Sequence, residues 1–439
     1  MLPDPSPEPA LPPGHGPLPR HLLPDNASIG PTGRLSIADV DLIELAGAYG
    51  TPFFVYDEEH VRRRCREAVA GWGAGVAYAS KAFLCRAMAR LAYEEGMSID
   101  VSTGGELHVA LAAGVPGQRL VLHGNNKSDA ELTRALAAGV GRIVVDSFDE
   151  IERLERLAST GSDRPRVLIR VTPGIEAHTH EYVMTGQDDS KFGFGLASGA
   201  AAEAVSRLRR DGSPVDLVGV HAHIGSQVFV LASFEKAIGA LADFFLPLGL
   251  TELCVGGGLG VAYVDDEAAP TITEWSGAVR AAAAAAGIGT EVRLTAEPGR
   301  SVVAAAAVTC YTVGTIKDLP GIRTYVSVDG GMSDNPRPVL YGSGYEAFLV
   351  RAADSNRPRT VTVVGKHCES GDVIVRDAQV PSDIAVGDVL ATPVTGAYGH
   401  SMASTYNKVP RPPVLFARDG QARLVVRRES LDDLLTLDV

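Results

Sequence analysis

Eight short apolar runs, separated by helical stretches, constrain this chain more than any other feature. They are Val76–Ala79, Ile99–Val101, Leu120–Leu122, Ile143–Val145, Val167–Val171, Leu217–Val220, Leu253–Val255 and Val292–Ala296. Each is short and mainly aliphatic or β-branched, without clean polar alternation, the pattern of parallel strands buried on both faces. Between them lie Glu106–Ala113, Asp129–Ala138, Asp149–Ala158, Ala200–Arg210, Ser233–Phe245 and Thr273–Ala286, which read as helices, as does Ala82–Glu95. Ser128-Asp129 and Ser147-Phe148-Asp149-Glu150 supply N-terminal capping signals. Eight strands alternating with helices predict a (β/α)8 barrel, with a doubly wound open sheet as the rival arrangement.

Beyond about Val303 the helical period disappears. Short β-rich runs take over, including Tyr325–Val328, Thr360–Val364, Val373–Val375, Val389–Thr392 and Ala422–Val426, separated by Gly, Pro and Asp. A second, all-β domain is expected over residues 305–439, after a barrel over 51–304. Residues 1–33 are rich in proline and predict an extended, flexible arm. That arm has no apolar core of signal-peptide length, and no run elsewhere is long enough to span a bilayer.

A formal net charge of −13 over 439 residues argues against nucleic acid or an anionic membrane as partner. Five widely spaced cysteines form no CxxC pair. They argue against a disulfide framework or a zinc site, and for a reducing, cytoplasmic setting.

In a barrel the chemistry sits at the carboxyl ends of the strands, and the polar clusters of this chain fall there. Lys81 closes the first strand, where an amine can meet a carbonyl cofactor. Gly256-Gly257-Gly258 follows the seventh strand, and its unhindered backbone N–H groups suit a phosphate. Glu297-Pro298-Gly299-Arg300 follows the eighth, where barrels often bind phosphate. Glu297 is also suited to face a pyridine nitrogen and keep it protonated. His221 and His223 end the sixth strand and raise the possibility of a metal-dependent hydrolase, with His123 as a further ligand. Arg300 beside such an ion is electrostatically awkward, so no metal is assigned, and a neutral histidine against a flat cofactor ring is preferred. His178 and His180, between Glu176 and Glu181, read as loop or lid residues.

The ordered series Tyr78-Ala79-Ser80-Lys81-Ala82-Phe83, His123-Gly124-Asn125-Asn126-Lys127-Ser128, His223-Ile224-Gly225-Ser226-Gln227 and Glu297-Pro298-Gly299-Arg300 resembles the fold-type III pyridoxal 5'-phosphate (PLP)-dependent amino-acid decarboxylases. Asp329-Gly330-Gly331-Met332-Ser333-Asp334-Asn335, Gly365-Lys366-His367-Cys368-Glu369-Ser370-Gly371-Asp372 and Thr395-Gly396-Ala397-Tyr398-Gly399 extend the likeness to the end of the chain. The branch that acts on diaminopimelate is the nearest.

The resemblance implies that Lys81 holds PLP, that His223 stacks on its ring and that Glu297 pairs with the ring nitrogen. The phosphate would fall to Ser226, Gly256, Gly257, Gly258, Pro298-Gly299-Arg300 and Tyr398. Arg300, Arg337 and Tyr341 would take the substrate's distal carboxylate, with Tyr398 beside them. Cys368, as proton donor, and Glu369, towards the distal amine, would come from the partner in a homodimer with shared active sites. A strand segment within 34–50 would join the β domain. The implied reaction is decarboxylation of meso-2,6-diaminopimelate at its D-centre to L-lysine and CO2, in lysine biosynthesis. Paired arginines independently suit a substrate that keeps one carboxylate after the other leaves. Alternatives are a decarboxylase of another D-configured or carrier-bound amino acid, a PLP-dependent racemase, and a non-catalytic PLP-binding regulator. His400 stands where this family usually has Tyr and, two residues past Tyr398, is close enough to touch the site.

Overall fold

The computed structural model describes residues 16–159, 164–174 and 190–439. Eight parallel strands run in chain order: Ala77–Ala79, Ser98–Val101, Leu120–Leu122, Arg142–Val145, Arg166–Thr172, Asp216–Ala222, Glu252–Cys254 and Arg293–Thr295. The Ala77 N–H donates to Ala296 O (3.0 Å) and the Ala79 N–H to Pro298 O (3.1 Å), joining the eighth strand to the first. That closure decides between barrel and open sheet. The intervening helices begin where the caps predict. Ser128 and Glu131 form a reciprocal capping box on Asp129–Ala137, and the Ser147 hydroxyl accepts from the Glu150 N–H at the start of Phe148–Ala158. Both remove orphan N–H donors from the first turn.

A second, nine-stranded sheet is built around one long strand, Ala307–Leu319. Its first half pairs with Val389–Pro393 and with Phe53–Asp57, and its second half with Arg323–Val328. Phe53–Asp57 also pairs in parallel with Val414–Arg418. The strand that enters this sheet from ahead of the barrel is therefore Phe53–Asp57, at the start of the segment assigned to the barrel, and not one within 34–50. The physical reason is pairing on both edges, with Ala307–Cys310 on one side and Val414–Ala417 on the other. Phe53, Phe54, Val55 and Tyr56 are all fully buried, whereas Leu35–Ile37 and Val40–Asp41 pair only in a separate three-stranded sheet with Ala27–Ile29.

The described part of the arm, residues 16–33, is more ordered than the sequence predicts. From residue 16 onward it packs against the body through Leu18, Leu22 and Leu23, and Gly16 O accepts from buried Arg357. Three leucines within six residues supply enough apolar surface to offset the cost of ordering.

Candidate active site

Lys81 leaves the first barrel strand in a tight 3-10 turn, Ser80–Ala82. The turn is pinned from two sides. The Tyr78 hydroxyl donates to Phe83 O (2.8 Å), while Ala82 O accepts from the Tyr398 N–H (2.8 Å) and the Ser401 hydroxyl (3.0 Å) of the second domain. Lys81 therefore projects into a cavity of about 310 Å³ at the carboxyl ends of the strands. Tyr398 on its far wall makes the two domains share the site. The volume lies at the lower end of small-molecule pockets.

His223, Ser226, Gly257, Gly258, Glu297, Gly299 and Arg300 line the same cavity. The glycine turn is required by space. A Cβ on Gly256, Gly257 or Gly258 would come within 2.5, 2.4 and 2.3 Å of the carbonyl oxygens of Ala222, Glu297 and Gly225. The Gly257 N–H donates to His223 Nδ1 (3.1 Å), so that nitrogen is an unprotonated acceptor and the tautomer carries its proton on Nε2. Burial first, then the Lys81 and Arg170 cations, hold the His223 imidazole well below its ordinary value, so the ring is neutral.

Glu297 sits between two further histidines. His123 Nε2 lies 2.9 Å from Oε1 and His221 Nε2 lies 2.9 Å from Oε2, and all three side chains are buried. Burial alone would raise the Glu297 carboxyl, but the two imidazoles outweigh it and hold the group well below the usual carboxylate range. These ligand atoms lie within 4.8 Å of one another, close enough for an ion. The metal pairing suggested by sequence, His221 with His223, is not the one that forms, because His223 is engaged by the glycine turn while His221 faces Glu297.

Arg300 links two parts of the site. One Nη donates to Ser226 Oγ (2.9 Å) and the other to the Tyr263 hydroxyl (2.7 Å), with the guanidinium 4.7 Å over the Tyr398 ring. Arg337 stacks 4.7 Å over the Tyr263 ring and lies 5.8 Å from that of Tyr341. Its Nε donates to the Tyr345 hydroxyl (2.8 Å) and one Nη to Ser343 Oγ (3.0 Å). Tyr341 itself lines an adjoining opening that also reaches Lys81 and Tyr398.

Cys368 and Glu369 are not brought to this cavity within one chain. Both are exposed on the second domain, in a loop anchored by Asp372, which accepts from the Met332 N–H (2.6 Å) and the His367 N–H (2.9 Å). His400 packs edge-on against Phe54 and Phe83 instead of lining the cavity. His178 and His180 lie outside the described residues. Tyr263, Arg170 and Phe192 have no counterpart in the sequence reading. Arg170 is the one charged residue of the run Val167–Val171, which reads only as a buried strand, and Tyr263 lies in a loop without a recognisable motif.

The donor set fits PLP: a projecting amine, a neutral imidazole with a fixed tautomer, a buried anionic carboxylate, and a glycine turn at which no Cβ fits. Comparison with known proteins agrees. Residues 58–304 match the family model described as the pyridoxal-dependent decarboxylase, pyridoxal binding domain. The diaminopimelate decarboxylase of Mycobacterium tuberculosis H37Rv is 48% identical, over 95% of this chain and 98% of that protein. Its Bacillus subtilis counterpart is 45% identical, over 93% and 95%. The crystal structure of diaminopimelate decarboxylase from M. jannaschii in complex with L-lysine superposes with a TM-score of 0.88 at 32% identity, covering 94% of this chain and 98% of that one. With a family model spanning the barrel and near-full-length relatives at this identity, the chain belongs to the diaminopimelate decarboxylase family of PLP-dependent decarboxylases.

Proposed function

We propose that this enzyme decarboxylates meso-2,6-diaminopimelate at its D-centre, releasing CO2 and L-lysine as a step of lysine biosynthesis. The observation that carries the substrate assignment is the pair of guanidiniums sharing one tyrosine. Arg300 is hydrogen-bonded to the Tyr263 hydroxyl and Arg337 stacks on the ring of the same residue. Arg300 lines the Lys81 cavity and Arg337 is joined to it through Tyr263, and two cations linked this way suit a substrate whose far end carries a carboxylate, through charge-assisted hydrogen bonds. A simple diamine end would leave them unanswered.

Bound PLP supplies a carbonyl for the substrate amine and an electron sink for the pair left when CO2 departs. Lys81 would hold the cofactor's carbonyl carbon. The glycine turn, Ser226, the Gly299-Arg300 backbone and the Tyr398 hydroxyl would hold its phosphate. The neutral His223 ring would stack on its face, and anionic Glu297 would keep a proton at its ring nitrogen. Arg300, Arg337 and Tyr341 would bind and orient the distal carboxylate. Cys368 would deliver a proton to Cα, and Glu369 would receive the distal amine.

Exposure of Cys368 and Glu369, away from the cavity of their own chain, supports a homodimer in which each site borrows this loop from the partner. The five cysteines are all free thiols, which suits a reducing cytoplasm. No helix among the described residues is long and apolar enough to cross a membrane.

Stereochemistry tests the assignment. With PLP-loaded protein, meso-diaminopimelate should release CO2 while the L,L isomer, which lacks a D-centre, should release none. Equal release from both would reject it.

A further inference from the structure

The role proposed for Glu297 leaves two buried histidines beside it without a task. We propose that His123 and His221 are positioning residues that clamp the Glu297 carboxylate, fixing its plane and keeping it ionised towards the cofactor's ring nitrogen. This rests on the reading of Glu297 given under the proposed function.

The clamp is built from three separate strand ends. His123 follows the third barrel strand, His221 lies in the sixth and Glu297 follows the eighth, so the barrel itself sets their spacing. Each imidazole takes a different carboxylate oxygen at 2.9 Å, and the two rings meet edge to face at 4.9 Å. Since the carboxylate can only accept, each Nε2 must donate. His221 Nδ1 is buried without a hydrogen-bond partner among the described residues, so Nε2 to Glu297 is the hydrogen bond by which this ring is held there.

The loop that carries His123 is braced as well. Lys127 Nζ, buried, donates to Gly124 O, Val144 O and Glu150 Oε1, each at 2.7 Å, tying that loop to the fourth strand. The neighbouring Asp100 completes the asymmetry. Its Oδ1 lies 3.7 Å from His123 Nε2 and has no hydrogen-bond partner. Burial above all, opposed by His123 and reinforced by Glu297, pushes its carboxyl up to about 7. Of two buried carboxyls close together, the one with two donors keeps the negative charge.

The test is a double-mutant cycle read by PLP dissociation constants, from absorbance titration of the apoprotein. Glu297→Gln, His123→Leu and His221→Leu should each weaken PLP about tenfold to a hundredfold, the range for a hydrogen bond to a charged group. In Glu297→Gln/His221→Leu the second change should add less than about twofold, because the imidazole has lost the group through which it acts. His221→Gln, which keeps an N–H donor without an imidazole, should recover most of the affinity and guards against loss through misfolding. Penalties that multiply in the double variant would overturn the clamp. So would a zinc-induced rise in the melting temperature of the apoprotein that Glu297→Gln abolishes, since the triad would then be a metal centre. If Glu297→Gln binds PLP as the wild type does, the cofactor reading of Glu297 fails, and the clamp with it.

Discussion

Replacing Arg337 by leucine separates recognition of a distal carboxylate from mere support of a turn. In the folded chain Arg337 is buried, with Nε on Tyr345, one Nη on Ser343, and the guanidinium over Tyr263. Under the proposed function the same guanidinium would also meet the substrate's distal carboxylate. Loss of two hydrogen bonds of about 1 kcal/mol each and a cation–π contact of about 0.5–2 kcal/mol will lower stability whatever Arg337 does for substrate. A fall in melting temperature is therefore uninformative, and ligand discrimination decides. A charge-assisted hydrogen bond to a carboxylate contributes roughly 1.5–3 kcal/mol, about tenfold to a hundredfold in kcat/KM for meso-diaminopimelate. L-Lysine as product inhibitor keeps the carboxylate of the L-centre and should weaken by the same factor. Cadaverine, which has the same carbon chain and amines without any carboxylate, should keep its inhibition constant within about twofold. Proportional weakening of lysine and cadaverine would refute the reasoning and leave Arg337 as a brace.

Three further outcomes follow from the same structure. Lys81→Ala and Cys368→Ala should each be inactive, and random reassortment of the two into mixed dimers should restore about a quarter of wild-type activity; no recovery despite demonstrated exchange would reject shared sites. Tyr263→Phe removes the hydroxyl that holds Arg300 but keeps the ring under Arg337, so KM for diaminopimelate should rise about fivefold to tenfold while kcat changes little. His60 makes a pH-dependent contribution: burial first, countered by Asp25, holds its imidazole at about 4 in the folded chain, against roughly 6.5 when unfolded. The unfolded state then takes up the proton first, so stability is full above about pH 6.5 and declines towards pH 4 by about 3 kcal/mol. Denaturant melts of wild type and His60→Gln across that range should show a flatter acid limb in the variant, and parallel limbs would reject the assignment.

Most of the barrel was legible because parallel strands buried on both faces leave predominantly aliphatic runs without clean alternation. Closure of the barrel was not, since the bonds from Ala77 and Ala79 to Ala296 and Pro298 join residues more than two hundred apart. The sequence reading assigns no strand to Phe53–Asp57 and counts it with the barrel, whereas its pairing with Ala307–Cys310 and Val414–Ala417 assigns it to the second sheet. At the site, residues inside motifs were visible, whereas Tyr263 and the union of His123, His221 and Glu297 were not. A tyrosine in a loop has no periodic signature. Three residues from three strand ends meet only once the barrel has set their angles. Proline content misjudged residues 16–33, because Leu18, Leu22 and Leu23 outweigh it by burial.

The most direct test of the account is a chiral amino-acid analysis of purified protein, PLP and meso-diaminopimelate, with CO2 collected from the same vessel and Lys81→Ala as control. L-lysine and CO2 are expected in equal amounts, and neither with Lys81→Ala. Epimerised diaminopimelate without CO2, or unchanged substrate with cofactor bound, would contradict the assignment.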